Sequence, residues 1–104
     1  MNPYSMPGCK ITPEHVIAIV EEEYNLKTGE IYKKSNSPVY SFPRYVAMYI
    51  FRFKFGWTLY RIAQKFRKDH ATVIYATKSV RNAIAFDPRF REKYNHICKM
   101  IDYK

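Results

Sequence analysis

The stretch TLYRIAQKFRKDHATVIYATKSV, residues 58–80, carries two apolar helical patterns separated by a short polar break. Apolar residues recur every three or four positions before the break and again after it, which is typical of amphipathic helices. Thr58 and Asp69 stand at the two starts, where a short polar side chain can accept hydrogen bonds from unpaired N–H groups. A short helix at 59–66, a tight turn, and a longer helix from Asp69 to about Ala85 have the layout of a helix-turn-helix.

The polar segment KDHAT, residues 68–72, lies at the start of the longer helix. A helix start offers unpaired N–H groups and a partial positive charge, both suited to a phosphate oxygen. In a helix-turn-helix this end enters the major groove of DNA. There Asp69 can accept a hydrogen bond from a cytosine amino group, and His70 can donate or accept one. Ala71 can contact a thymine methyl group, and Thr72 can bond a phosphate or a base.

Upstream of this motif, the sequence predicts one helix, one short turn and a loop. Thr-Pro-Glu at 12–14 is a typical helix start, and the apolar pattern continues to about residue 24. Residues 26–33 hold at most a short turn of helix, capped by Thr28. KKSNSPVYS, residues 33–41, is polar and interrupted by proline, so we expect a loop there.

Two more long helices complete the predicted fold. One follows Pro43 and ends at Gly56; a strand is the rival interpretation there, but no partner strand is evident. The other begins at Asp87-Pro88 and runs to about Asp102. The residues expected to face the core of these two helices are Val46, Ala47, Ile50, Phe53, Phe90, Tyr94, Ile97 and Ile101. We therefore expect an all-α fold, a single small domain of five to six helices at 12–104, after a loosely ordered tail at 1–11.

Composition and charge fit a globular domain that meets a polyanion. The 104 residues suit one domain, and 47% hydrophobic residues argue against disorder. The many Tyr and Phe residues are expected in core packing, with stacking on single-stranded nucleic acid as a lesser alternative. The net charge is +9, and residues 33–93 alone carry 14 Lys or Arg against three acids. Such a basic segment indicates a polyanion-binding surface, with a merely solubilising surface as the alternative.

Catalytic, metal and membrane functions are not expected. Cys9 and Cys98 are far apart, no CxxC or HxxxH pair exists, and the histidines are scattered, so neither a disulfide framework nor zinc is predicted. Asp69 and His70 are adjacent and do not face each other on a helix, so an acid–base pair is disfavoured. No apolar run approaches about 18 residues, and no signal peptide is evident. We expect a cytoplasmic binding protein without cofactor or metal.

Three segments in this order resemble a known family. PRYVAM at 43–48, LYRIA at 59–63 and DHATVIYA at 69–76 match motifs of the forms P-R-Q-x-A-M, L-P-E-I-G and GRDHTTVLHA at nearly the same spacing. These motifs are typical of the DNA-binding C-terminal domain of the bacterial chromosomal replication initiator DnaA, which this sequence resembles over about residues 12–85. The resemblance implies an all-α helix-turn-helix domain that binds double-stranded DNA.

The resemblance also implies roles for individual positions. The family's base-reading Asp-His pair falls on Asp69 and His70. The two threonines that follow fall on Ala71 and Thr72, so a methyl group replaces one base contact while the phosphate-contacting hydroxyl is retained. Basic positions of the family fall on Arg44, which matches P-R-Q, on Arg52, a DNA-backbone contact in the A-M helix, and on Lys78.

The sequence departs from the family at other expected contacts. The family inserts an arginine from a basic loop into the minor groove, and a gapless count places Asn36 there. Lys33 and Lys34 can substitute, but less well, because arginine suits a narrow minor groove better. Tyr60 replaces a proline that lies near a base edge in the family, and the turn before Asp69 is one residue shorter and lacks glycine.

We expect a double-stranded DNA-binding protein that is nucleoid-associated and is a regulator or accessory of replication. Contacts to phosphate or the minor groove are expected from Lys33, Lys34, Arg44, Arg52 and Lys68. No GxxxxGK[ST] segment is present, so nucleotide binding is not expected. The rival hypothesis is a protein-interaction module that binds a replication partner through its aromatic surface and has lost DNA readout.

Overall fold

The computed structural model describes residues 11–102, which form five α-helices and one 3-10 turn. Strands are absent from this part of the chain, so the prediction of an all-α fold is confirmed. Ile11, of the segment expected to be loosely ordered, packs partly buried against the core, and residues 1–10 lie outside the described range. In chain order the elements are α1 (Pro13–Glu23), the 3-10 turn (Glu30–Tyr32), α2 (Pro38–Phe53), α3 (Leu59–Phe66), α4 (His70–Phe86) and α5 (Pro88–Asp102).

The central element is α2, which packs against α1, the 3-10 turn, α3 and α4. Its Val46, Met48 and Ile50 are completely buried. Phe51, also from α2, stacks on Trp57 with ring centroids 4.4 Å apart and an interplanar angle of 8°. Apolar burial of this kind is the main source of stability, at about 2 kcal/mol for a fully buried large side chain. The core therefore ties the short connection 54–58, and with it the start of α3, to α2.

Side-chain caps fix the helix starts where the sequence predicts them. The hydroxyl of Thr12 accepts from the N–H of His15 at 3.1 Å, and that of Thr58 accepts from the N–H of Arg61 at 3.1 Å. Asp87 Oδ1 accepts from two N–H groups at the start of α5, at 3.1 and 3.2 Å. The boundaries of α1, α3, α4 and α5 are therefore close to the predicted ones.

The predicted start of α2 is wrong by five residues. The helix begins at Pro38, after Ser37, whose hydroxyl accepts from the N–H of Val39 at 3.3 Å. Pro43 lies inside the helix and is fully buried. A proline there removes one helical hydrogen bond, and the packing of its ring in the core offsets this loss. The predicted loop 33–41 is therefore shorter, ending at residue 37.

Two further expectations about single residues are wrong. Thr28 does not cap the 3-10 turn, which instead follows Gly29 at a φ of 89°, a conformation that glycine adopts without strain. Phe53 is 49% exposed rather than buried, because the helix ends there and the ring lies beside Tyr49 at the edge of the core.

A buried carboxylate anchors the connection between α1 and the 3-10 turn. Glu21 is 5% exposed, and its Oε2 accepts from the N–H of Gly29 at 2.8 Å and that of Ile31 at 3.3 Å. These bonds satisfy the buried charge and hold Ile31, which is completely buried, against α2.

Candidate nucleic-acid interface

The turn between α3 and α4 is made without glycine. Arg67 adopts the left-handed conformation, with a φ of 55°, and ends α3. The N–H of Lys68 then donates to the carbonyl of Ala63 at 2.9 Å, which satisfies one of the last carbonyls of the helix. A non-glycine residue in this conformation costs about 1 kcal/mol. The tight turn predicted from the sequence is therefore present, and it places the cations Arg67 and Lys68 beside the start of α4.

Asp69 caps α4 as predicted. Its Oδ1 accepts from the N–H of Thr72 at 2.8 Å. Two hydrogen bonds from Thr72 lower the pKa of Asp69, so the carboxylate is ionised at neutral pH. The bond from the Thr72 side chain has the larger effect, and the bond from its backbone N–H the next largest. Asp69 is exposed, so it remains accessible to a donor outside the protein, whereas Thr72 is half-buried and already bonded to Asp69.

His70 and Ala71 occupy the first two positions of α4, and both are exposed. The ring of Tyr60 on α3 meets the His70 ring edge-on, with centroids 6.3 Å apart. Tyr60 is 60% exposed, and its hydroxyl accepts from Gln64 Nε2 at 2.8 Å. The structure therefore brings together Asp69, His70, Ala71 and Tyr60, the residues predicted to lie near base edges.

The outward face of α4 continues beyond these residues. Ala71, Ile74, Tyr75 and Lys78 lie at three- and four-residue spacing and are all exposed, opposite the buried residues of the helix, which are Val73, Ala76 and Val80. Sequence reasoning proposed Ala71 and Lys78 and missed Ile74 and Tyr75. The sequence does predict that Ile74 and Tyr75 are exposed, because apolar residues at helical spacing bury one face of a helix and leave the opposite face in solvent.

The segment 33–37 forms a loop whose backbone is hydrogen-bonded to the buried side chain of Arg44. The guanidinium of this residue donates to the carbonyls of Ile31 at 3.1 Å, Lys33 at 2.9 Å and Ser35 at 3.0 Å. Arg44 is 3% exposed, and burial lowers its pKa, although an arginine stays protonated at neutral pH. The expected phosphate contact does not fit this placement. Arg44 instead fixes the shape of the loop, because its charge is committed to backbone carbonyls.

The loop carries the cations predicted at the DNA backbone. Lys33, Lys34 and Asn36 are exposed. Lys33 Nζ lies 4.7 Å from the centre of the Tyr40 ring and donates to its hydroxyl at 3.4 Å, which orients the side chain on the surface. The loop 33–37 itself contains no arginine, and Arg44 beneath it is buried, so minor-groove contact would depend on the two lysines and Asn36.

The loop and the start of α4 lie at neighbouring places on the surface. Tyr32, just before the loop, packs on Phe66 at the end of α3, with ring centroids 5.5 Å apart. Tyr45, in the middle of α2, meets Tyr75 on α4 edge-on at 5.8 Å. These two contacts bracket a surface made by the loop, the α3–α4 turn and the first turns of α4. We call this the basic face; its residues are Lys33, Lys34, Asn36, Tyr60, Arg67, Lys68, Asp69, His70, Ala71, Ile74, Tyr75 and Lys78.

Arg52 lies outside the basic face as we define it. Its Nη1 donates to the carbonyl of Trp57 at 2.9 Å, and the side chain is half-buried. This bond satisfies a carbonyl in the connection before α3. Its predicted role at the DNA backbone remains a prediction, since one half-buried side chain can hold a carbonyl and still offer other N–H groups.

The charge around the basic face is strongly positive. Residues 31–86 hold eleven Lys or Arg, and Asp69 is their single acidic residue. A surface on which positive charge predominates attracts a polyanion and raises its association rate. Within residues 11–102, no group of three His, Cys, Asp or Glu side chains could hold a metal ion. The same part of the chain has no helix that is long and apolar enough to span a membrane.

Comparison with known proteins agrees with this arrangement. A family model described as the bacterial dnaA protein helix-turn-helix matches residues 13–80. One similar protein, chromosomal replication initiator protein DnaA 2 of Protochlamydia amoebophila (strain UWE25), is 31% identical over 91 residues, which are 88% of this chain and 20% of that protein. The chain therefore spans about a fifth of the length of this relative. Because the family model matches residues 13–80, most of the chain, the chain belongs to the bacterial DnaA helix-turn-helix family, whose domain binds double-stranded DNA.

Proposed function

We propose that the domain binds duplex DNA with the start of α4 in the major groove and the loop 33–37 on the adjacent backbone. The observation that carries this proposal is the exposed pair Asp69 and His70 at a helix start surrounded by cations. A buried pair, or one surrounded by acids, would not reach or attract the groove. The residue types match what base edges accept, since a carboxylate can accept from cytosine and an imidazole can donate or accept.

The remaining residues of the basic face have separate roles in this proposal. Lys33, Lys34 and Lys68 neutralise phosphates, and Asn36 lies toward the minor groove. Lys78, two turns along α4 from its start, contacts the backbone across the major groove. Tyr60, Ala71 and Thr72 make further contacts, with Tyr60 and Ala71 near base edges and Thr72 near a phosphate. We further propose that the domain acts by binding alone, without catalysis, cofactor or bound nucleotide.

Salt dependence tests the proposal directly. A fluorescence anisotropy titration of a labelled 30-base-pair mixed-sequence duplex at 50 and 200 mM KCl measures affinity and its slope against salt. Four phosphate contacts, from Lys33, Lys34, Lys68 and Lys78, predict a slope of about −3.6 and a loss of roughly 150-fold over that range. Lys68→Ala should reduce the slope by about 1. Lys99→Ala, which removes an exposed charge on α5, is the matched control and should leave the slope unchanged.

The His70→Ala variant tests the major-groove contact separately. With duplexes selected from a random pool by the unmodified protein, His70→Ala should reduce the preference for selected over mixed sequence and keep the salt slope. If the protein shows weak binding that does not change with salt, the DNA proposal is wrong and the rival applies. The rival is a protein-interaction module, which the exposed aromatic residues Tyr60, Tyr75 and Phe86 would serve.

The biological role that we propose is that of a replication-related or regulatory accessory, located at the nucleoid and working with a protein partner in replication. This proposal is supported by the name of the relative, a chromosomal replication initiator. Chromatin immunoprecipitation tests it, since enrichment near the replication origin is expected. A uniform distribution along the chromosome would contradict it.

A further inference from the structure

Two arginines meet at Trp57, just before α3. Arg52 Nη1 donates to the Trp57 carbonyl at 2.9 Å, and the guanidinium carbon of Arg61 lies 3.8 Å from the centre of the Trp57 ring. The ring belongs to the core, since Trp57 is 7% exposed, whereas Arg61 is exposed. The N–H of Arg61 also donates to the Thr58 hydroxyl at 3.1 Å. Arg61 is therefore held in place both at its backbone and at its charged end.

The contact with Trp57 leaves the hydrogen-bonding edge of Arg61 available to a ligand. A guanidinium that stacks on an aromatic ring uses its face, while its five N–H donors point outward in its own plane. Within residues 11–102, neither Arg61 nor Arg52 forms an ion pair with Asp or Glu. A group already oriented by its neighbours loses less conformational entropy on binding. An exposed guanidinium held in this way suits a phosphate, which accepts two parallel hydrogen bonds from arginine.

Arg61 lies apart from the cations that the proposed function uses on the loop 33–37. The loop is tied to the end of α3 by the contact between Tyr32 and Phe66, whereas Arg61 lies in the first turn of α3. With eight residues, α3 is about 12 Å long. This length is close to the width of the major groove, which is about 12 Å and has a phosphate backbone on each side. The loop and Arg61 are therefore far enough apart to reach different phosphates.

We propose that Arg61, supported by the Trp57 ring, binds a backbone phosphate of duplex DNA that the other cations do not reach. Arg52 is a positioning residue in this site, because it holds the Trp57 carbonyl and adds positive charge beside it. The inference rests on the proposed function and adds a binding site to it. It is particular to this chain, since LYRIA at 59–63 places Arg61 where the motif L-P-E-I-G has a glutamate, which would repel a phosphate.

The salt dependence of duplex binding counts this contact. A fifth phosphate contact changes the slope expected for the unmodified protein from about −3.6 to about −4.5. Arg61→Ala should reduce the slope by about 1 and weaken binding about eightfold at 100 mM KCl. Arg61→Gln, which keeps a polar side chain but removes the charge, should show the same losses, and Arg61→Lys should keep the slope. The matched control is Arg89→Ala, which removes an exposed arginine from α5 and should change neither quantity.

Two comparisons distinguish a separate phosphate contact from the alternatives. Phosphates carry no sequence information, so Arg61→Ala should weaken binding to selected and mixed duplexes by the same factor, unlike His70→Ala. Distinct contacts should also be additive, so Arg61→Ala combined with Lys34→Met should lose about 2 units of slope. Circular dichroism melts of each variant check that the folded proteins are being compared.

Different results separate this inference from the proposed function. Unchanged slope and affinity in Arg61→Ala overturn the phosphate site and leave DNA binding standing. A changed ratio of selected to mixed affinity assigns Arg61 to a base edge, and a double variant that loses only about 1 unit of slope shows that Arg61 shares a phosphate with the loop; either result overturns the separate site. Negligible, salt-insensitive binding by the unmodified protein overturns both the site and the proposed function.

Discussion

The buried arginine under the basic loop yields the sharpest test of the interface. We expect Arg44→Met to destabilise the fold and to weaken DNA binding through the loop, because methionine keeps much of the aliphatic packing and removes the guanidinium. The guanidinium makes three hydrogen bonds to carbonyls of residues 31, 33 and 35, at 3.1, 2.9 and 3.0 Å. In the variant these acceptors lose their partner while Lys33 and Lys34 keep their charges.

The size of the effect follows from the burial of the acceptors. Ile31 is completely buried, so its carbonyl would be left without water, at a cost of about 1–3 kcal/mol. The carbonyls of Lys33 and Ser35 are partly buried and can be rehydrated, so each costs less. Loss of the buried charge itself returns some free energy, since its desolvation is unfavourable. We expect a net loss of about 3 kcal/mol, which lowers the melting temperature by roughly 15 °C for a domain of this size.

Thermal melts followed by circular dichroism, combined with anisotropy at two salt concentrations, check this expectation. The matched control is Lys34→Met, which removes a charge from the same loop but leaves the three hydrogen bonds in place. The control should change stability by less than about 0.5 kcal/mol and reduce the salt slope by about 1. Arg44→Met should lower both stability and slope. If Arg44→Met melts like the unmodified protein and loses one unit of slope, as the control does, Arg44 contacts a phosphate directly and its structural role is refuted.

Three further perturbations follow from single contacts. Trp57→Ala should cost about 3–5 kcal/mol in urea unfolding, because Trp57 is 7% exposed and stacks on Phe51; a loss below 1 kcal/mol would contradict this. Hydrogen bonds from Thr72 lower the pKa of Asp69 from its ordinary value of 3.8. The Asp69 cap therefore stabilises the folded protein fully above pH 3.8, and this stabilisation is lost as the pH falls through the lower pKa of the folded state. Asp69→Ala should flatten that acid dependence of the melting temperature, and an unchanged profile would exclude the cap as its source. Gly56→Ala should destabilise by about 1 kcal/mol because φ is 72° there, and equal melting temperatures would count against strain.

The helix-turn-helix was predictable because local chemistry decides it. Thr58 and Asp69 are short side chains that can bond only the N–H groups just after them, so their position in the sequence fixes where α3 and α4 begin. The apolar spacing within each helix then fixes which face is buried. Both signals lie within a few residues of the feature that they determine, and the rest of the fold has little influence on them.

The start of α2 and the role of Arg44 depend on distant residues, so sequence reasoning missed them. Ser37-Pro38 and Phe42-Pro43 are both acceptable helix starts locally, and burial of the second proline in the assembled core decides between them. The acceptors of Arg44 are backbone carbonyls, which any sequence would supply. Whether they converge on one guanidinium depends on the turn after Gly29, and that turn is held by Glu21 from α1.

These linked contacts between distant residues explain how a small domain can present a loop and a helix start as one surface. Glu21 holds the backbone at Ile31, and Arg44 holds the carbonyls of residues 31, 33 and 35. The contact between Tyr32 and Phe66 ties the loop to the end of α3. None of these side chains needs to contact DNA for the surface to exist. Only Arg67 and Lys68 separate the end of α3 from the cap of α4, so we expect a shift of the loop to reach the exposed end of α4 through the packed rings of Tyr32 and Phe66. Affinity for DNA and stability of the 24–37 connection should therefore change together in variants of these buried residues, whereas variants of the exposed lysines change affinity alone.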